Sequence, residues 1–333
     1  LVIMVDNGSN SYEAINFLNE NNIKSLVIDH HEIYKPYPKT NILINPKKIS
    51  EYSKFDYFST GVLTYFLLDL FIKKKKIKIN FSKNLYLVLL TIVADVMPLR
   101  KINRIIANKV LKYIDLKDIY FFKKIFDIKK INKPVDIDDF GFLFAPIINS
   151  AGRIDDPNIV VRLFTSENKY LNDKIINKLI LLNEKRKKIV ETTIEKLDLK
   201  KINNDKNKII ILENNNINEG IIGIIASNIK THFNKPSVVI TKSENIYKGS
   251  ARSTKDFPIG KYIKNALDNK LLESGGGHNL AAGFTVKKEK IEFFKKFLYD
   301  LSNKNYNKLN YKYLSKISLN AIGYNLLSHL KKI

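Results

Sequence analysis

Apolar residues open the chain in an unbroken run, LVIMV over residues 1–5, which ends in Asp6 and the turn-forming NGS. That is the pattern of a buried strand carrying an acid at its C-terminal tip. Residues 11–22, SYEAINFLNENN, follow with helical periodicity, and SLVIDHH (25–31) reads as the next strand. A strand, a helix and a parallel strand form a right-handed βαβ unit with both tips on one edge of the sheet. Asp6, Asp29, His30 and His31 are therefore expected to converge where open α/β sheets place ligands. Two of the chain's five histidines stand side by side behind that second strand. Either they are a polar accident at a strand end, or they face something cationic or phosphorylated.

Further along, YSKFDYFSTGVLTYFLLDLFI (52–72) predicts a core helix and KKKKIK (73–78) a solvated loop. The segment NLYLVLLTIVADVMPL (84–99) is too long for a strand and predicts a buried helix stopped by Pro98. It carries Asp95 to its end, a costly placement unless that carboxylate is ligated or hydrogen-bonded. Residues 168–200 are amphipathic, charged and free of Gly and Pro, which predicts one long helix connecting two domains. A strand (208–212) and a helix (219–233) then open a second unit. In that helix Gly220, Gly223 and Ser227 share one side and permit close approach of another backbone. Strands are expected at 236–241 and 247–253, followed by a helix and the glycine-rich SGGGHNLAAGFTV (274–286). The whole is an α/β chain divided as 1–167, a connecting helix 168–202, a smaller α/β domain 203–304, and from 305 to 333 the start of a further unit.

A length of 333 residues suits about two domains. Cysteine is absent, which excludes disulfides and thiolate ligands, so any metal must sit on Asp, Glu and His; that favours Mg²⁺ or Mn²⁺. No apolar stretch reaches the roughly 18 residues needed to cross a bilayer, and the N-terminus has no basic leader region. A soluble, cytoplasmic protein without a membrane partner is expected. The net charge of +24 invites a polyanion, although Lys, Asn and Ile are in excess throughout and part of the basicity is compositional. With 51 Lys against 6 Arg, each arginine is expected where a planar fork is required, and Arg104, Arg153 and Arg252 fall inside the motifs that follow.

Asp6, His30 and Asp95 form a mixed oxygen and nitrogen set suited to Mn²⁺ or Mg²⁺. Two such ions about 3.5–4 Å apart activate water and clamp a phosphoryl group, which requires a bridging carboxylate; Asp6 is the natural candidate. Taken singly, each group also reads as a helix cap or an amide partner. GGGH (275–278) is either a loop in which Gly276, Gly277 and His278 fold around a phosphate or a plain glycine turn. INSAGR (148–153) and GSARS (249–253) set arginine beside small residues and hydroxyls, as bidentate phosphate contact needs. GxxxxGK[ST] and GxGxxG are both missing, so nucleoside-triphosphate hydrolysis and dinucleotide redox chemistry lack support.

In this order, VDNGS, VIDHHE, TIVADVMPL, INSAGR and GGGH resemble the DHH phosphoesterases, and the wording of EGIIGIIASNI, GSARS and GGGHNLAAGFT is similar to the RecJ exonuclease family within them. The resemblance covers nearly the whole chain. It implies a parallel-sheet DHH domain joined by the long helix to a DHH-associated C-terminal domain. It further implies single-strand-specific 5′ to 3′ hydrolysis of DNA in repair and recombination, with two Mn²⁺ or Mg²⁺ ions and with a single-strand-binding protein and a helicase as partners. On this resemblance Asp6 bridges the metals and His30 and Asp95 complete one sphere, while Asp29 and His31 stand behind or face the phosphate. Asn149, Ser150, Arg153, Ser250, Arg252 and His278 hold substrate phosphate; Asn103 and Arg104 match with an open role. The family's DxD motif is absent, and Ile147 replaces an arginine that contacts substrate. The chain is accordingly expected to be an internal fragment, inactive and poorly soluble alone, with only the opening of an oligonucleotide-binding domain after residue 305. Two alternatives are a phosphodiesterase of short oligonucleotides or cyclic dinucleotides, and a catalytically silent DNA-binding scaffold.

Overall fold

The computed structural model describes residues 1–33, 35–48, 54–113, 115, 119–197, 207–304 and 315–332. Two sheets organise it. In the first, β1 (Val2–Val5), β2 (Ser25–Ile28) and β3 (Ile42–Ile44) are parallel in that spatial order, with α1 (Tyr12–Glu20) as the first crossover. Helices follow: α2 (Thr60–Lys74), α3 (Leu85–Ala94), α4 (Lys101–Tyr113), α5 (Tyr120–Lys129), the single turn α6 (Ile137–Asp139), α7 (Ala145–Ile154), α8 (Asn158–Thr165) and α9 (Lys169–Glu195). In the second sheet β4 (Ile210–Glu213) pairs in parallel with β5 (Ser237–Ser243). From β5 the sheet continues antiparallel through β6 (Ile246–Arg252), β8 (Ala281–Val286) and β7 (Ser274–His278). Among the described residues no helix is long and apolar enough to cross a membrane.

The N-terminal lobe owes its core to helices more than to the small sheet. Leu85, Val88, Leu89 and Ile92 of α3 pack with Phe121, Phe122, Phe140 and Phe144, and the Phe122 and Phe144 rings lie 4.3 Å apart. Burial of each such ring stabilises by about 1.5–3 kcal/mol. The second lobe has its own core under β5, β6 and β8, centred on Val238, Ile240, Phe257, Phe284 and Phe294.

Several elements differ from the sequence expectation, each for a local reason. β1 is an edge strand rather than a buried one, and Ile3 and Val5 on its outer face are 54% and 43% exposed. The helix expected over 52–72 starts at Thr60 and continues through Lys73 and Lys74, so only the rest of the lysine tract is loop; residues 52 and 53 lie outside the described residues. α3 ends before Pro98 because Val96 takes a left-handed conformation (φ 53°) directly after the capping Asp95. The helix expected over 219–233 opens with a 3₁₀ turn at Glu219–Ile221. GGGH is the edge strand β7 of a hairpin, not a loop. Residues 198–202 and 305–314 of the expected connecting helix and final unit lie outside the described residues; beyond them Tyr324–Lys332 is helical.

α9 is more than a tether. Ile175, Ile176, Leu179, Ile180 and Leu182 belong to the N-terminal core, whereas Val190 packs into a third cluster with Ile210, Ile221, Ile225 and Val239 beneath the second sheet. One rigid helix therefore contributes to both lobes. A second seam forms where α7 meets the 3₁₀ turn: Arg153 Nη1 donates to the Gly220 carbonyl at 3.0 Å. A Cβ built at Gly220 would lie 1.9 Å from the Arg153 carbonyl oxygen. Only glycine fits there, as the spacing of small residues anticipates. Gly223 instead makes room for side chains, Arg252 and Ser250. Gly220→Ala is expected to lower unfolding stability by about 1–3 kcal/mol, the usual cost of overpacking. Urea denaturation checks this, and an unchanged midpoint would contradict the seam.

Candidate active site

Parallel register sets the site. The Asp6 amide donates to the Ile28 carbonyl at 2.9 Å and the Asp29 amide to Ile44 at 2.9 Å, so each strand hands its next residue to the same edge. Asp6 turns there with φ 64°, a conformation that aspartate tolerates better than most residues. Gly8 then brings the following loop against β2, where an added Cβ would lie 3.0 Å from both Val27 methyls. The Asp29 carboxylate, almost fully buried, ties the two tips together. It accepts from the Ser9 amide at 3.1 Å, the His30 amide at 2.8 Å, the His31 amide at 3.2 Å and His31 Nδ1 at 2.7 Å. Asn45, at the tip of β3, donates to Ser9 Oγ and to the His31 carbonyl and closes the ring of contacts.

Each of Asp6, His30 and His31 offers one ligand atom, and these atoms all lie within 4.8 Å of one another. His30 Nε2 stands 3.5 Å from Asp6 Oδ1 and 4.0 Å from Asp95 Oδ2. Both gaps exceed a hydrogen bond. His30 thus approaches both Asp6 and Asp95, while the group whose ligand atoms all lie within 4.8 Å holds His31 and not Asp95; Asp29 bonds the His31 Nδ1. Sequence reasoning missed Ser9, Asn45, Glu32 and Lys47; their position right after strand tips is the signal that could have found them.

The electrostatics suit a cation. Burial first, and then the His31 charge, lower the His30 pKa, which keeps the imidazole neutral as a ligand must be. Burial and the neighbouring Asp6 charge push Asp95 up to about 6. Burial alone would also raise Asp29, but its bonds from His31 and Ser9 prevail and hold it well below the usual carboxylate range. The same Asp29 bond raises His31. Among the described residues no lysine or arginine pairs with Asp6 or Asp95. Two carboxylates and a neutral imidazole, offset only by the neighbouring imidazoles of His31 and His278, fit a hard or borderline divalent ion.

The second lobe faces this cluster across a cleft of about 1280 Å³ lined by His30, His31, Asp95, Arg252, Gly277 and His278, among others. The His278 ring is stacked parallel to His31 at 6.0 Å. Its Nδ1 lies 3.5 Å from Glu32 Oε1, an oxygen that Lys47 Nζ also reaches at 2.9 Å. The His278 contact above all, with Lys47 working against burial, holds Glu32 down to about 2. Gly277 is required by packing, since a Cβ would lie 2.3 Å from the Ala281 carbonyl; Gly276 is open to solvent. Arg252 reaches its own sheet through Ser250 Oγ at 3.0 Å.

Arg153, Arg186 and Arg252 form a cationic group. Burial lowers the pKa of all three, and the Arg153 charge adds to the effect on the other two. None of them pairs with a carboxylate among the described residues. Asn149 is exposed and shares a groove with Arg153 and Arg186. Ser150 is a correction: its hydroxyl is fully buried and donates to the Ile147 carbonyl at 2.6 Å and the Leu179 carbonyl at 3.2 Å, so it fastens α7 to α9 and cannot present itself to a ligand. Ile147 is buried in the core of the N-terminal lobe. Asn103 is buried and donates to the carbonyls of Tyr57 at 2.7 Å and Pro98 at 3.1 Å, holding the segment after Asp95; Arg104 stands half-buried beside it.

Residues 1–92 match the DHH family, N-terminal domain, and residues 206–304 match the DHHA1 domain. The single-stranded-DNA-specific exonuclease RecJ of Haemophilus influenzae is 30% identical over 321 residues, covering 88% of this chain and 54% of that protein. The Escherichia coli protein of the same name is 28% identical over 318 residues, with 88% and 54% covered. The chain therefore spans about half the length of these curated relatives. Among solved structures, RecJ from Thermus thermophilus in complex with Mn²⁺ superposes with a TM-score of 0.78 at 24% identity, over 91% of this chain and 44% of that one. The Mg²⁺ complex from the same organism gives 0.67 at 19% identity, over 91% and 49%. At these identities the likeness establishes the shared fold. If Asp29 orients the cluster, Asp29→Ala is expected to weaken Mn²⁺ binding about 10–100-fold, the usual effect of losing a partner that orients a ligand. Isothermal titration calorimetry decides it, and an unchanged affinity would remove Asp29 from that role.

Proposed function

We propose, from the premise that the chain combines a DHH-family N-terminal domain with a DHHA1 domain, that it is the catalytic part of a metal-dependent nuclease that releases 5′ mononucleotides from single-stranded DNA. The observation that carries this reading is the meeting of Asp6, His30 and His31 within 4.8 Å at a shared sheet edge, across the cleft from His278 and Arg252. Relatives named as single-stranded-DNA-specific exonucleases, and neighbours of the same fold titled as Mn²⁺ and Mg²⁺ complexes, support it. Repair and recombination are the setting, with a single-strand-binding protein and a helicase as accompanying partners. The intact cluster speaks against a silent scaffold.

Asp6, His30, His31 and Asp95 are the residues that would hold divalent metal, Mn²⁺ or Mg²⁺. Bound there, it would supply positive charge to the phosphoryl oxygens and acidify the attacking water. The chain's own groups do the rest. Asp29 fixes the His31 ring so that only Nε2 faces the site. Neutral His30 and the carboxylates of Asp6 and Asp95 line the position where a proton leaves water. From the other lobe, Arg252 and His278 donate to the scissile phosphate, and Arg153 holds the neighbouring one; planar guanidinium forks suit that geometry. Glu32 and Lys47 hold His278 against the first lobe. Phosphate contacts of this kind position a strand without reading its sequence.

In the full-length protein, Asp6→Asn is expected to abolish Mn²⁺-dependent nucleotide release while circular dichroism stays unchanged; release at the wild-type rate would sink the metal-site assignment. His278→Ala is expected to weaken single-strand affinity more than Mn²⁺ affinity, because it comes from the opposite lobe, and calorimetry with each ligand separates the two. Strand affinity should also fall steeply between 50 and 200 mM salt, by about tenfold or more, as phosphate neutralisation requires.

A further inference from the structure

Beside the metal-binding edge lies a second cavity, of about 490 Å³, within the range of small-molecule sites. Ala94, Val96 and Met97 wall it off from the catalytic cleft, and all three line both spaces. Its lining is largely apolar, yet two exposed hydrophobic side chains stand out: Phe142, 83% exposed, and Val96, 87% exposed. Neither is at an accidental position. Phe142 sits in a π-helical turn at Phe140–Phe144, a local widening of the helix that turns it outward while Phe140 and Phe144 stay in the core. Val96 is a β-branched residue with φ 53°, a conformation such residues avoid, and it directly follows Asp95. Asn149, Arg153, Arg186 and the exposed Asp138 also line the groove; Arg153 Nη1 donates to the Gly220 carbonyl and Arg186 to Asn183 Oδ1, and neither guanidinium has a carboxylate partner among the described residues.

We propose that the Val96–Phe142 groove is a nucleobase subsite, which takes the unpaired base of a nucleotide whose phosphate rests on Arg153 and Arg186. This rests on the nuclease reading above and deepens it. A base has an apolar face for Phe142 and Val96, an edge that bonds Asn149, and an N–H donor, an exocyclic amine or the ring imide of thymine, for the Asp138 carboxylate. The phosphate attached to it supplies the anion that the two arginines, bonded among the described residues only to the neutral Gly220 carbonyl and Asn183, lack. A lipid tail has no group for the arginines, and a peptide segment would need an acidic and an aromatic side chain at the right spacing. Because a base inside a duplex cannot enter such a groove, the subsite selects single strands through an unpaired base, independently of the phosphate contacts.

The test is fluorescence anisotropy with 5′-phosphorylated single-stranded oligonucleotides, in EDTA so that nothing is cut, with one abasic site moved through the first positions. Wild type is expected to lose about tenfold in affinity at one abasic position, the size of a single base–aromatic stack. Phe142→Ala loses a similar factor on the intact strand and nothing further on that abasic strand, and Phe142→Trp keeps wild-type affinity. Phe142 is exposed, so these variants are expected to fold. Equal weakening of all strands by Phe142→Ala, or no abasic position that matters, overturns the subsite and leaves the nuclease reading standing. A wild-type chain that binds no single strand overturns both.

Discussion

The site depends on one buried carboxylate. Asp29 collects three backbone amides and one imidazole nitrogen, and those donors come from both strand tips. Without it, Ser9 and the two histidines would have no common anchor, and the short sheet has little else to hold them: β1 is an edge strand of four residues with an exposed outer face. Burying a charge costs several kcal/mol unless it is fully hydrogen-bonded. Asp29 meets that condition, so the same bonds that solvate it locally also fix which histidine nitrogen is available for chemistry.

A second constraint joins this edge to the opposing lobe. α9 lends residues to both cores, and Gly220 lets the 3₁₀ turn rest on the Arg153 carbonyl. The lobes are thereby joined on either side of a cleft that Arg252 lines, while Arg153 and Arg186 line the neighbouring groove. Three half-buried arginines stand without a carboxylate partner among the described residues; burial lowers the pKa of each, and the Arg153 charge adds to this at Arg186 and Arg252. The net charge of +24 attracts anions; among the described residues these three guanidiniums are bonded only to neutral acceptors, Arg153 to the Gly220 carbonyl, Arg186 to Asn183 and Arg252 to Ser250 and the Ala251 carbonyl.

The convergence of Asp6, His30 and His31 was legible because a right-handed βαβ crossover leaves little freedom in where strand tips go. The cavity-lining role of Arg186 was not, since an arginine inside the stretch EKRKK of an amphipathic helix looks like solvated charge; its rarity in a lysine-rich chain was the usable signal. Ser150 misled for the opposite reason. A hydroxyl beside an arginine in a glycine-containing motif suggests phosphate, yet a helix–helix seam can absorb it with two carbonyls. GGGH read as a loop because glycine weakens strands. At a sheet edge, where Gly277 must clear the neighbouring backbone, the same residues make a strand instead.

Backbone conformation separates structural from functional turns in a way that composition cannot. Left-handed Asn22, Lys76, Lys130 and Asn234 follow helix ends, and Glu244 lies in a hairpin; each closes a turn that a polar residue can occupy. Asp6 and Val96 differ, because the first belongs to the cluster that could hold a metal ion and the second lines both cavities. A valine held left-handed is a worse choice than glycine or asparagine for simply ending α3. The conformation places the side chain on the wall between the inter-lobe cleft and the apolar groove. Strain of this kind persists where the surroundings over-determine it, and here Asn103 does so by holding the carbonyl of Pro98, two residues beyond.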